Sequence, residues 1–282
     1  MGNWLKTTVL LALLTGLLLW LGDLLGGQQG LVMALVFAGA LNFAAYFFSD
    51  KIALAMHHAQ PVDQAQAPQL YAVVAELTQR AGMPMPRLYM IPEMQPNAFA
   101  TGRSPQHAAV AVTEGLLRVM DREELKGVLA HELSHVRHRD ILIASVAATI
   151  AGALAMLARM AGWAMMFAGR ERDSRGGGLG GLFFVIVAPI IAVIIQLAIS
   201  RSREYGADEG AVELAGTPTG LASALRKLGA YTERIPMASA QPSTAHMMIA
   251  NPFSGGGMMA LFATHPPIDK RIARLEAMVG RM

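Results

Sequence analysis

Cysteine is absent from the 282 residues, which excludes disulfides, thiolate metal sites and cysteine nucleophiles together. Charge is scarce as well: 15% of residues are charged, against about 25% in soluble domains. With 54% hydrophobic residues, that shortfall points to membrane segments. There is no dense Lys/Arg block, and a formal net charge of +3 gives no footing for nucleic-acid binding. A cytoplasmic membrane face accounts for so mild an excess. No internal repeat of useful length is present.

What the sequence does contain is four apolar stretches. Thr7 to Gly22 is uncharged with Lys6 at its edge, and no small-x-small cleavage site follows Trp20-Leu21-Gly22-Asp23, so it reads as a signal anchor. Leu24 to Ser49 contains a second span, with Leu31 to Phe48 as its centre. Ile141 to Ala158 is the third, and Gly176 to Ser200 contains the fourth, with Leu182 to Ile199 as its core; a bilayer core takes roughly 20 apolar residues per helix. Lys6, Lys51, Arg137, Arg139, Arg201 and Arg203 flank the spans and place both termini and residues 50–140 in the cytoplasm. The turn holding Arg170, Arg172 and Arg175 conflicts with a fully crossing second hairpin; a tilted, partly inserted hairpin relieves the conflict. The expected organisation is two N-terminal spans (1–50), a first part of a cytoplasmic domain (51–140), a membrane-associated hairpin (141–200) and a second part (201–282).

In the polar chain, "APQLYAVVAELTQRAGMPMP" predicts an amphipathic helix ended by Gly82. "RLYMI" and "HAAVAVT" predict short strands, with "NAFATG" between them as a strand edge or a loop. Asp121 caps a helix with Glu124 as its capping-box partner. The tract from Pro236 to Pro267, rich in Met, Gly, Ser and Pro, predicts a mobile loop. His57, His58, His107 and His246 read as ordinary polar residues.

The chemistry sits on the capped helix. In "HELSH", His131 and His135 are four residues apart, so both imidazoles leave one helical face about a turn apart. That spacing suits two nitrogens on one zinc ion, with Glu132 beside the first to take a proton from a metal-bound water. H-E-x-x-H is a short motif, and its position mid-helix behind a cap raises its weight; two surface histidines are the bland alternative. A catalytic zinc takes a third protein ligand. The metzincin pattern fails, because positions 138 and 141 are His138 and Ile141. His138 lies on the far side of His135 along the axis, which suits a supporting or surface role. In "SRSREYGADEG", Glu204 and Asp208 share a face: Glu204 can ligate zinc and Asp208 can accept the free ring N–H of a ligating histidine. The alternative is an ordinary charged helix start with Glu204 paired to Arg201 or Arg203. If the third and fourth spans form an antiparallel hairpin, both ligand helices leave the bilayer side by side, and the metal lies on the order of 10 Å above its boundary.

These residues, with "NAFATG", "HELSH", "SREYGADE", "NPFSGGG" and "THPPIDKRI" in this order, resemble the HtpX family of membrane zinc metalloproteases and, more distantly, the CAAX prenyl proteases. The resemblance runs nearly end to end. It implies a mostly α membrane protein, transmembrane helices plus a gluzincin-like metalloprotease domain with a small β-sheet. It further implies one zinc per subunit, no organic cofactor, residence in a bacterial inner membrane with a cytoplasmic active site, and cleavage of misfolded membrane proteins. Matched motif by motif, His131, His135 and Glu204 correspond to zinc ligands and Glu132 to the catalytic residue. Asn97, Ala98, Phe99 and Ala100 resemble the substrate-facing edge; a turn after Pro96 is the alternative. His265 resembles a histidine that stabilises the oxyanion, against a plain helix-start role, with Arg271 bonded structurally. Two rivals compete. An intramembrane site-2-type protease would lack the bordering Arg137, Arg139 and Asp140 and carry a Leu-Asp-Gly motif, which is missing here. A zinc-stabilised membrane chaperone or adaptor would have no use for Glu132.

Overall fold

The computed structural model describes residues 3–167, 201–232, 234, 237, 239, 243–250 and 266–279. The fourth expected span, the arginine-bearing turn before it and His265 lie outside the described residues.

The first helix, α1 (Asn3–Met56), reverses at Gly27, whose φ of 55° and ψ of −141° are a conformation that glycine adopts without a Cβ penalty. Its two arms lie side by side: a side chain on Gly22 would collide with Gly30 and Ala34, and Asn42 Nδ2 donates to Thr15 Oγ1 across them at 2.8 Å. The stretch Gly26–Met56 is long and apolar enough to cross a membrane, while Leu5–Trp20 and Asp140–Leu154 are apolar but shorter. The latter belongs to α5 (Asp140–Phe167), which packs on both arms through Ile143, Val146, Ala147, Ile150 and Leu154 against Leu10, Leu14, Leu18, Ala38 and Ala45.

The polar part of the chain builds a four-stranded sheet in the order β1-β2-β4-β3: β1 (Gln60–Pro61), β2 (Arg87–Ile91), β3 (Ala98–Gly102) and β4 (Ala108–Thr113). β2 and β4 run parallel and the two outer pairings are antiparallel, with Ala98 opposite Val112 and Gly102 opposite Ala108. Every residue of β4 is buried. Val110 and Val112 face a core shared with α2 (Pro68–Ala81) and α4 (Arg122–Arg137). Ala109 and Ala111 face Ala53 and Leu54 of α1 and Ala148 of α5. Burial on both faces explains why "HAAVAVT" reads as an unbroken apolar run rather than an alternating one. "NAFATG" resolves as the edge strand β3, and α2 ends at Gly82 in the left-handed conformation. The two-residue β1 carries no pattern that sequence reading could detect.

Three further helices close the domain: α6 (Arg201–Ala215), α7 (Thr219–Thr232) and α8 (Ile268–Val279), with the short α3 (Glu114–Val119) following β4. α4 is the hub, packed by α2, α6 and α7. The α4–α6 approach is close because Gly210 has no side chain; one there would collide with Ser134. Over residues 243–250, the tract expected to be a mobile loop is instead buried and includes a single 3-10 turn, Ala245–Met247. Its reason is apolar content: Met248 joins one apolar cluster and Ile249 and Ala250 another, with Ile249 N–H bonded to Ala98 O of β3.

Candidate metal centre

The site grows from the start of α4. Asp121 Oδ1 accepts from Glu124 N–H at 2.9 Å, and Glu124 Oε2 accepts from Asp121 N–H at 2.9 Å, the reciprocal cap expected from the sequence. Ten residues on, His131 and His135 project from one face with ring centroids 4.8 Å apart and planes at 88°. Glu204 arrives from the first turn of α6. One ligand atom each from His131, His135 and Glu204 lie within 4.8 Å of one another. Glu204 Oε2 stands 3.7 Å from His131 Nε2, and Oε1 stands 3.6 Å from His135 Nε2. Donors in a tetrahedral shell with bonds of about 2.0–2.1 Å lie about 3.4 Å apart, so two imidazoles and a carboxylate at these separations fit a zinc ion.

Each histidine is steadied from behind by a different carboxylate. His131 Nδ1 lies 3.0 Å from Asp208 Oδ1. Asp208 in turn receives Arg271 in a two-pronged contact, Nε to Oδ2 at 3.0 Å and a terminal nitrogen to Oδ1 at 2.7 Å. Among the described residues, Arg271 is the largest wholly buried side chain. His135 Nδ1 lies 3.2 Å from Asp140 Oδ2. In the sequence Asp140 reads only as a charge bordering the motif, a carboxylate without a helical partner; it follows a helix break at Arg139, whose φ is 59°, and past that break the helical spacing rule no longer applies. The signal that could have found it is a carboxylate at the start of the apolar helix α5, five residues after a ligand candidate. His138 caps the end of α4 on its exposed side and stands outside the metal-ligating group.

Burial and charge set the protonation of these groups. Burial, and then the Arg271 guanidinium, push His131 down to about 4, so its imidazole is neutral at pH 7. Burial opposes charge on His135 too, but the Asp140 bond and the Glu204 and Glu132 carboxylates outweigh it and raise it to about 9. Asp208 is driven to about 2: burial works against it, and the His131 bond and Arg271 prevail. Glu132 is pushed up to about 8, chiefly by burial and further by Glu204. Bringing a cation between these groups would favour neutral imidazoles and ionised carboxylates.

Glu132 Oε2 accepts from Ala100 N–H at 2.9 Å, which ties the carboxylate to β3. Of the four residues carried over as a substrate edge, Ala100 lines the cleft. Phe99 turns away into the core and meets the His57 ring at 5.4 Å. Asn97 is buried and brackets the main chain of Ala250, and Ala98 O accepts from Ile249 N–H at 3.1 Å. The outer edge of β3 is thus engaged by the chain itself. His246, read from sequence as an ordinary polar residue, lines the cleft, and its Nε2 lies 3.0 Å from Ala144 O of α5. His57 is buried with Nε2 2.8 Å from Thr244 Oγ1. The cleft itself encloses ≈ 40 Å³, room for water rather than for a peptide.

A buried H-E-x-x-H helix meeting a carboxylate from a second helix, with Glu132 beside them, is a donor set suited to a metal-dependent hydrolase. The model of Peptidase family M48 matches residues 64–279. The chain belongs to that family, and the family match makes it a metallo-endopeptidase. It is 57% identical over 279 residues to a protein named Protease HtpX homolog from Thermodesulfovibrio yellowstonii, covering 98% of this chain and 99% of the relative. It is 54% identical over 282 residues to the one from Syntrophobacter fumaroxidans, covering 99% and 100%. Among solved structures it resembles the crystal structure of S. mikatae Ste24p with a TM-score of 0.52 at 19% identity, covering 97% of this chain and 66% of that one, a likeness of fold. The HtpX-type resemblance read from the motifs therefore stands.

Proposed function

We propose that this metallo-endopeptidase uses one zinc ion per chain, held by His131, His135 and Glu204, to cut misfolded membrane proteins at the cytoplasmic face of a bacterial inner membrane. The observation that carries the reading is the convergence of those three ligating atoms within 4.8 Å beside the buried carboxyl of Glu132. Zinc, when bound, supplies Lewis-acid polarisation of a carbonyl and acidifies water. Glu132 takes the proton of the attacking water on its carboxylate and hands it to the nitrogen of the leaving amine; the Ala100 N–H holds that carboxylate in place. Asp208 keeps the Nδ1 proton of His131 and so leaves Nε2 for the metal, and Asp140 does the same for His135. Arg271 balances the charge of Asp208. His265 bonds the carbonyl oxygen as it gains charge.

The substrate main chain pairs with the outward groups of Ala98 and with the carbonyl of Ala100, whose N–H stays on Glu132; this requires residues 248–250 to give way. Membrane clients are favoured by the placement of the site: Asp140, which steadies a ligand, is the first residue of the apolar α5. In this reading two N-terminal spans (1–50) and a membrane-associated hairpin (141–200) anchor a cytoplasmic domain made of two parts, 51–140 and 201–282. The test compares casein and a membrane-protein substrate with the wild type and Glu132→Gln in zinc-loaded detergent samples. Wild type degrades both and the variant neither; equal persistence in the two samples would overturn the proposal and favour a non-cutting adaptor.

A further inference from the structure

The second arm of α1 ends in a cluster of aromatic side chains, Phe43, Tyr46, Phe47 and Phe48, which are 57%, 37%, 42% and 42% exposed. Phe43 and Phe47 stack with centroids 4.6 Å apart, and Tyr46 meets Phe47 edge-on at 5.0 Å. Beside them opens a cavity of ≈ 480 Å³ whose remaining lining includes three cations, Lys51, Arg87 and Arg103. Lys51 sits over the Phe48 ring at 5.4 Å and Arg103 over the Phe47 ring at 5.2 Å. Arg87 bonds Asp50 Oδ2 at 2.5 Å. Among the lining residues three cations thus face one carboxylate, with His107 at the same wall.

The position of this cavity says what it would take. It lies at the end of the helix long and apolar enough to cross a membrane, and the outer face of that helix exposes Val32, Met33, Leu35, Val36 and Phe37. Aromatic rings concentrate at headgroup level, and Lys or Arg there attract anionic lipid by about 1 kcal/mol each, roughly a fivefold change in binding. Lys51 is exposed and Arg103 half-buried, and both line the cavity, where a phosphate can reach them. We infer that this cavity is a binding site for the phosphate of an anionic phospholipid, with the acyl chains running along the exposed face below Phe43. The inference rests on the membrane placement proposed above. The bound lipid contacts Lys51 and Arg103 directly, and its phosphate competes with Asp50 for Arg87.

Native mass spectrometry of the full chain in non-ionic detergent tests it, with phosphatidylglycerol and phosphatidylcholine of identical chains at equal concentration. Two unbalanced cations predict a preference for phosphatidylglycerol of about 25-fold, and Lys51→Ala with Arg103→Ala brings it to parity without altering proteolysis or the melting temperature. A wild type without preference overturns the inference irrespective of how the variant folds. Glycerol phosphate at the lipid's concentration leaves the lipid adducts in place; displacement by it would assign the pocket to a soluble phosphate and overturn the lipid. Flotation with phosphatidylcholine vesicles separates the two levels: a chain that stays at the bottom loses the membrane reading itself, whereas one that floats but shows no preference in the spectrometer loses only this site.

Discussion

The two histidines of the centre are chemically identical and differently built in. His131 is wholly enclosed, backed by Asp208 from α6 and Arg271 from α8, all three inside the polar domain. His135 is partly open and backed by Asp140, the first residue of the apolar helix α5. One histidine is wired to the polar domain and the other to the apolar helix α5. The difference teaches which part of the molecule each ligand depends on: loss of Asp208 strands a buried guanidinium, whereas loss of Asp140 leaves a histidine near water. It also explains why burial lowers His131 and a carboxylate cluster raises His135.

The largest effect is expected at neither backing carboxylate but at Glu132 between them. Glu132→Gln should lower turnover by about 10²–10⁴-fold and leave zinc at one per chain by elemental analysis; a variant that loses the metal together with activity would make Glu132 a ligand rather than a proton carrier. Next comes Asp208→Asn. Zinc affinity, measured by chelator competition, should fall toward the upper end of the roughly 10–100-fold seen when such partners are removed. Because Arg271 then lacks its counter-charge, unfolding should cost about 3–5 kcal/mol less. The Asp208 carboxyl titrates near 2 in the folded chain and about 3.9 when unfolded, so the stability it contributes is full above pH 4 and lost as the pH falls toward 2. Acid unfolding of Asp208→Asn should lack that component.

Asp140→Asn should weaken zinc by only about tenfold with little change in the melting temperature. Equal losses for the two asparagine variants would erase the contrast between the two sides. The smallest effect is remote from both: Asp121→Ala removes the α4 cap and should cost about 0.5–2 kcal/mol in thermal unfolding, with catalysis intact in the folded fraction.

The legible and the illegible parts divide along the same line as local and distant contacts. The α4 cap, the Gly82 stop, β2, β4 and the pairing of Glu204 with Asp208 on one face all rest on spacing within a few residues, which helix and strand geometry fix. Arg271 reaching Asp208 across 63 residues, and residues 248–250 against β3, depend on how helices stack, which no periodicity encodes. Asp140 fell between: it is near in sequence, but the Arg139 turn resets the helical phase. The apolar run from Ile141 is legible as a helix, while the part played in the site by Asp140, the residue before it, is not.

Zinc K-edge X-ray absorption of the purified full-length chain, with Glu204→Ala alongside, tests the central claim most directly. The account predicts two imidazole nitrogens plus carboxylate oxygen at about 2.0–2.2 Å, and loss of the protein oxygen or of zinc itself in the variant. A shell without imidazole scattering, or one untouched by Glu204→Ala, would contradict it.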